Sequence, residues 1–308
     1  MDEPGTAKEV ANFNIKEYLK HRKSVIDRAL GRYLKASSHH PQTLYKAVHY
    51  GLFPGGKRFR PILTLACGEL FGARQRALLP FACGLELIHT YSIIHDDLPA
   101  LDNDDLRRGE LAAHKVFGAG IALLAGDALL TEAFHLMTRP QVVRSLESTL
   151  VLDLIHEIAH AAGLGGMVGG QVVDLESEGK EVDVATVDYI HVRKTGALIH
   201  TAARVGAKIG GASGKELRRI SRYAEFLGLA FQVTDDILDA EGLTGTTGQS
   251  DGKDRERRKA TYPAVVGVVA AKGRVQELLE RCLKEVEGFG KEADPLRGIA
   301  RYVTERVQ

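Results

Sequence analysis

Two acidic stretches stand about 140 residues apart in this chain of 308: HDDLPALDNDDLRRG, His95 to Gly109, and FQVTDDILD, Phe231 to Asp239. Crowded carboxylates repel one another, and burying them without partners is costly. Two such clusters facing each other need cations between them. Oxygen ligands favour a hard ion, Mg²⁺ first and Mn²⁺ as the alternative. Mg²⁺ keeps waters and accepts phosphate oxygens, so the expected third party is a phosphorylated ligand. Arg107 and Arg108 directly follow the first cluster and suit that ligand's remaining charge. The pattern implies metal-dependent chemistry on a diphosphate.

Within DDILD, Asp235 and Asp239 lie four residues apart, on one face of a helix, with Asp236 beside them. Leu227, Phe231 and Leu238 mark the rest of that helix as buried, so the acids are expected to face an interior cavity near Gln232 and Thr234. In the first cluster, Asp96 and Asp97 end an apolar run, GLELIHTYSII. Pro99 favours a stop there, which lets Asp102 fold back toward Asp96. Asn103, Asp104 and Asp105 are equally well explained as loop caps.

The basic residues form separated sets. PGGKRFRP places Lys57, Arg58 and Arg60 around a Gly55-Gly56 turn that opens a helix near Pro61, a setting suited to phosphate. An ordinary surface turn would look the same. Lys194 and Thr195 precede Gly196, and GKDRERRKATYP puts Lys253 and Lys259 on a Gly-rich loop after the second acidic cluster. Two anion sites, one held through metal and one held directly, account for all of them.

HEIAH, His156 to His160, matches the H-E-x-x-H zinc pattern, with Glu176 or Glu178 available as a third ligand. AAGLGGMVGG follows instead of a metzincin continuation, and an exposed or interhelical His pair is expected. The glycines of GLGGMVGGQVVDL lack a following Gly-Lys-Ser/Thr. They point to close helix packing or clearance beside Gln171 and Asp174. His39 and His40 read as loop residues before Pro41.

These groups must be positioned by helices. Apolar spacing at three and four residues predicts them over Ile15–Ala36, Pro41–Gly51, Ile62–Leu70, Leu78–Asp97, Val116–Met137, Val142–Leu164, Gly166–Glu176, Val184–Gly210, Lys215–Asp239, Tyr262–Ala271 and Lys272–Val286. Without strand patterns, repeats or a low-complexity linker, one all-α domain over residues 1–308 is expected. A net charge of +1 gives no global pull toward nucleic acid or an anionic membrane. Cys67, Cys83 and Cys282 are odd in number and far apart, which fits a reducing, cytoplasmic setting. MDEPGTAKEV is no secretory signal. The apolar stretch Gly118–Leu130 contains Asp127 and predicts a buried helix, not a membrane span.

In the order GGKRFRP, ELIHTYSIIHDDLPALDNDDLRRG, LLAGDALL, GGQVVDL, KTGALI, FQVTDDILD and KATYP, nearly the whole chain resembles the trans-isoprenyl diphosphate synthases, in particular bacterial farnesyl diphosphate synthases (geranyltranstransferases). The resemblance implies a helical bundle around a deep central cavity, usually homodimeric. It implies that Asp96, Asp97 and Asp102, with Asp235, Asp236 and Asp239, hold three Mg²⁺ around an allylic diphosphate. Arg107, Lys194, Lys253 and Lys259 would add positive charge there. Lys57, Arg60, His89 and Arg108, with the Gly56 backbone, match the isopentenyl diphosphate site. Thr195 and Gln232 would line the nascent carbocation, Asp254 would support the metal cluster, and Gln171 and Asp174 would line the cavity.

The reaction so implied is ionisation, condensation and elimination. Tyr91, five residues before Asp96, would lie about 7.5 Å deeper along a helix, with Ser92 beside it. A bulky Tyr there floors the cavity at C15, whereas a small residue admits C20; a plain core tyrosine is the structural alternative. The two extra residues of DDLPALD also occur in geranylgeranyl diphosphate synthases. Beside the C15 expectation stand a C20 synthase, a terpene cyclase and a regulatory prenyltransferase subunit. The second anion site argues against the cyclase, and two intact Asp-rich motifs against the subunit.

Overall fold

The computed structural model describes residues 13–35, 40–242 and 260–307. Lys253, Asp254 and Lys259 of the expected diphosphate site, and His39, lie outside them. The chain is an all-α bundle with almost no strand. Its helices are α1 (Ile15–Tyr33), α2 (Gln42–Leu52), α3 (Phe59–Leu70), α4 (Gln75–Asp96), α5 (Ala113–Phe117), α6 (Ala119–Met137), α7 (Pro140–Val143) and α8 (Ser148–Ala162). There follow α9 (Met167–Ser177), α10 (Val184–Ile190), a π-helical turn (His191–Gly196), α11 (Ala197–Ile209), α12 (Gly214–Ala240), α13 (Tyr262–Val266), α14 (Val268–Val286) and α15 (Asp294–Thr304). A two-stranded antiparallel hairpin, β1 (Leu106–Arg107) and β2 (Glu110–Leu111), pairs Leu106 with Leu111 and Arg107 with Glu110.

Local chemistry sets the ends that matter. Ser213 and Glu216 form a reciprocal capping box that starts α12, the helix that carries the second acidic cluster. α4 is buried over most of its length, and Ile26, Leu63, Phe81, Leu85, Leu129, Leu198, Tyr223 and Leu227 share its core. A smaller apolar cluster joins Val187, Val233, Ile237, Leu238, Tyr262, Val275 and Val307. It wraps the end of α12 directly around Asp235 and Asp236.

Several expected boundaries shift. α1 ends at Tyr33, and α3 starts at Phe59, so Arg60 lies in a helical first turn. The helix expected over 142–164 is two helices, the second opening at Ser148, and the one over 262–271 breaks at Gly267, whose φ is +82°. The hairpin was too short to leave an alternating pattern. α15 was missed because its sequence opens on Pro295 and holds Gly298, which looks like a break; there a Cβ would come within 3.0 Å of the Phe13 ring.

α4 and the stretch Ala119–Val143 are long and apolar enough to cross a membrane, by length and composition alone. The α4 window is 78% buried in the bundle, whereas that of Ala119–Val143 is only 39% buried. The expectation that Gly118–Leu130 is a buried helix is therefore corrected, since Leu123 and Leu124 of α6 face outward.

Candidate active site

At the end of α4 the chain reverses, as Pro99 foretold. The Asp102 N–H donates to the Asp96 carbonyl (2.8 Å) and the Asn103 N–H to the Leu98 carbonyl (3.0 Å). Asp102 is thereby folded back beside Asp96. Burial pushes the Asp96 carboxyl up to about 6, opposed chiefly by Lys194. Asp97 is buried and grips the Arg107 guanidinium of the hairpin through a two-pronged contact, and Arg107 also reaches Asp104 at 3.2 Å. Burial raises Asp97. Burial is also the largest single influence on Arg107, but the Asp97, Asp104 and Asp96 carboxylates together outweigh it and hold the guanidinium above its usual range.

The second cluster sits inside one continuous helix. Asp235 accepts from Arg306 Nη1 at 2.7 Å; burial raises its carboxyl, opposed by Arg306 and Lys57. Asp236 is enclosed, accepting from Gln232 Nε2 (2.9 Å), the Tyr262 N–H (2.8 Å) and His191 Nε2 (3.1 Å). Asp239 lies at the exposed end of the helix, one turn beyond Asp235.

Between the clusters runs the π turn. Lys194 Nζ pairs with Asp174 at 2.7 Å, and its charge also bears on Asp96. The Thr195 hydroxyl donates to Gln232 Oε1 at 2.7 Å. Two close approaches fix this turn: a Cβ at Gly170 of α9 would lie 2.3 Å from the Lys194 nitrogen, and one at Gly228 of α12 would lie 3.0 Å from Gly196. Gly170 of GLGGMVGGQVVDL thus serves close packing, one of the two roles expected of that segment. Gln171 Nε2 is buried without a partner among the described residues.

The residues expected to form the direct anion site also come together. Gly56 turns at φ +95°, and a Cβ there would come within 3.1 Å of the Arg108 guanidinium; Arg108 donates to the Pro54 carbonyl at 3.3 Å. Burial lowers Arg60 to about 10, and burial with the nearby Arg306 charge lowers Lys57. His89, half-buried, is held well below the usual histidine range by burial and by the Arg60 and Arg108 charges, so it is neutral. Cations lowered by burial and by one another are cations short of an anion.

Arg58, grouped with Lys57 and Arg60 by sequence, does not join them. It donates to Glu86 (2.8 Å), Asp27 (2.8 Å) and the Leu52 carbonyl (2.7 Å) and is fully buried. It is a strut holding the Gly-Gly turn to α4 and α1.

Tyr91 is buried one turn and more below Asp96. Burial and then the Asp96 charge raise its phenol, and its ring meets His95 edge-on at 5.5 Å. Ser92 Oγ donates to the His89 carbonyl at 2.9 Å. HEIAH lies elsewhere, on an outer cavity of about 740 Å³ between α8, α11 and α12. There Glu157 is committed to Arg204 and Lys208, and His156 and His160 are exposed as expected. Among the described residues no three His, Cys, Asp or Glu side chains form a preformed metal cage, at HEIAH or in the acidic clusters. Mg²⁺ does not need one, because it completes its octahedron with water and phosphate oxygens.

Three groups escaped the sequence reading: Arg306, His191 and the Tyr262 N–H. RYVTERVQ carries no signal for Arg306, which reaches Asp235 across 71 residues. His191 and Tyr262 stood beside recognised motifs, but only the fold turns them toward Asp236.

A family model described as polyprenyl synthetase matches residues 41–294. Among curated relatives, a farnesyl diphosphate synthase of Geobacillus stearothermophilus is 42% identical over 96% of this chain and 99% of its own length. A geranylgeranyl diphosphate synthase of Cyanophora paradoxa is also 42% identical, over 96% of this chain and 97% of its own. Among solved structures, an FPP/GFPP synthase from Zymomonas mobilis superposes with a TM-score of 0.84 at 36% identity, covering 94% of this chain and 99% of that one. With its two acidic clusters, its cationic second site and this agreement from end to end, the chain belongs to the polyprenyl synthetase family of trans-isoprenyl diphosphate synthases.

Proposed function

We propose that the protein is a magnesium-dependent farnesyl diphosphate synthase, joining isopentenyl diphosphate first to dimethylallyl and then to geranyl diphosphate. The observation that carries the C15 product is Tyr91: it is bulky, buried, and near enough to Asp96 to feel its charge. The donor set suits the metal, since it consists of carboxylate oxygens, and Asp96 is raised to about 6 by burial, the state of an acid awaiting more positive charge. Asp96, Asp97 and Asp102 of the first motif, with Asp235 and Asp239 of the second, would hold Mg²⁺, which supplies the positive charge that lets diphosphate depart.

The chain's own residues do the rest. Lys194 and Arg107, joined by Lys253 and Lys259, stabilise charge building on the departing diphosphate. Lys57, Arg60, Arg108 and neutral His89 hold isopentenyl diphosphate so that its double bond lies beside the cation. The Thr195 and Gln232 oxygens face the cationic carbon. A proton leaves to the released diphosphate, and the enclosing helices exclude the water that would quench the cation.

A single domain working as a cytoplasmic homodimer completes the proposal. The outward Leu123 and Leu124 of α6 and Leu152 of α8 support a second copy as the cover, and three buried, free cysteines suit a reducing compartment. A C20 product is the second reading, favoured by DDLPALD and by the geranylgeranyl relative.

Purified protein with Mg²⁺, isopentenyl diphosphate and each allylic diphosphate in turn tests this. C15 should accumulate with farnesyl diphosphate unused; C20 would keep the chemistry and overturn the floor. Tyr91→Ala should shift the product toward C20, and an active variant still stopping at C15 removes Tyr91 from that role.

A further inference from the structure

We infer that Asp236 is a positioning residue rather than a metal ligand: held by His191 and the Tyr262 N–H, it sets the direction of the Gln232–Thr195 hydrogen bonds. This rests on the prenyl-transfer reading above. The two neighbouring acids differ sharply. Asp235 is about one-third exposed and, among the described residues, meets a single guanidinium, whereas the Asp236 side chain is 6% exposed and takes three donors among them.

An ionised carboxylate only accepts. Gln232 must therefore turn its NH₂ toward Asp236, which leaves Oε1 facing Thr195. The Thr195 hydroxyl has one proton and spends it on that oxygen, so lone pairs are what it offers its other neighbours. Lone pairs stabilise an adjacent cation, and an O–H pointing the other way would repel it. His191 closes the arrangement by donating Nε2–H to the second oxygen; its buried Nδ1 has no partner among the described residues. His191 and Thr195 are four apart on the π turn, as Gln232 and Asp236 are on α12. Two rungs thus tie the turn to the helix.

Asp236→Asn tests the relay. Its oxygen must stay with Tyr262 and His191, so its new NH₂ falls on Gln232, whose amide flips and turns the Thr195 proton outward. The kcat should fall about 10- to 100-fold, the loss expected for one reversed charged hydrogen bond, with KM within about threefold. Calorimetry with Mg²⁺ and inorganic diphosphate should show near-normal binding, in contrast to Asp235→Asn. Adding Gln232→Glu gives an acceptor on both sides at unchanged net charge and should recover at least about tenfold of kcat. Should Asp236→Asn not fold, His191→Leu serves instead: kcat falls and Mg²⁺–diphosphate binding holds.

Loss of Mg²⁺–diphosphate binding in Asp236→Asn, matching Asp235→Asn, would make Asp236 a ligand and overturn the inference. A double variant that recovers nothing would overturn the relay. If wild-type protein binds Mg²⁺ and diphosphate yet makes no prenyl product, the functional reading fails, and the binding comparison still decides the role of Asp236.

Discussion

The two acidic clusters solve one electrostatic problem by opposite means. Asp96, Asp97 and Asp102 straddle a helix end, and their relative placement depends on a reversing loop and a two-stranded hairpin that carries Arg107. Asp235, Asp236 and Asp239 share an unbroken helix and are fixed by its geometry before any partner arrives. The first arrangement is adjustable because a loop costs little to move. The second is rigid because apolar packing around Val233, Ile237 and Tyr262 sets the backbone.

The largest test of this contrast is Asp235→Ala. On the rigid side no loop shift can bring in a substitute, so turnover should fall about 10²- to 10³-fold with the helical circular dichroism unchanged. Near-normal rates would remove Asp235 from the metal site.

A second test uses pH on the adjustable side. Asp96 titrates near 6 in the fold, against about 3.9 in an unfolded chain. The folded state then binds the proton more tightly, so this group favours folding at low pH, and that contribution is lost as pH rises from about 4 through 6. Metal needs the carboxylate, so Mg²⁺ affinity in the presence of diphosphate should fall up to about tenfold per pH unit below 6. Asp96→Asn should flatten the pH dependence of apo-protein stability; an unchanged slope would assign it to another acid.

The smallest effect belongs to Asp105, where the first cluster shades into plain surface. Its exposed pair with Lys115 at 2.7 Å predicts that Asp105→Asn costs less than about 1 kcal/mol by thermal unfolding and leaves kcat within about twofold. A larger catalytic loss would extend the adjustable cluster outward.

What could be read from the sequence follows the same division. The i, i+4 rule placed Asp235 and Asp239 on one helix face, and Pro99 located the reversal that brings Asp102 to Asp96. Lys194, Thr195 and Gln232 were legible by resemblance, but their contacts were not. The sequence grouped Arg58 with Lys57 and Arg60 because charge is visible in a sequence and direction is not. In the structure Arg58 turns at φ 53°, toward Glu86 and away from its neighbours. Arg306 had no local signal at all, since its meaning arises only across 71 residues.

The π turn at His191–Gly196 carries a consequence for chain length itself. A π-helix closes its hydrogen bonds over one residue more than an α-helix does, so these six residues hold one beyond what the α ladder would use. Each α-helical residue advances the spiral by about 100°. Deleting a residue between His191 and Thr195 would let a plain α ladder run through and leave the flanking helices in register. The two side chains would then stand three apart and no longer meet their α12 partners together. Substitutions in this segment change one contact, whereas a one-residue gap would erase the bulge and loosen both rungs at once while sparing the helices on either side.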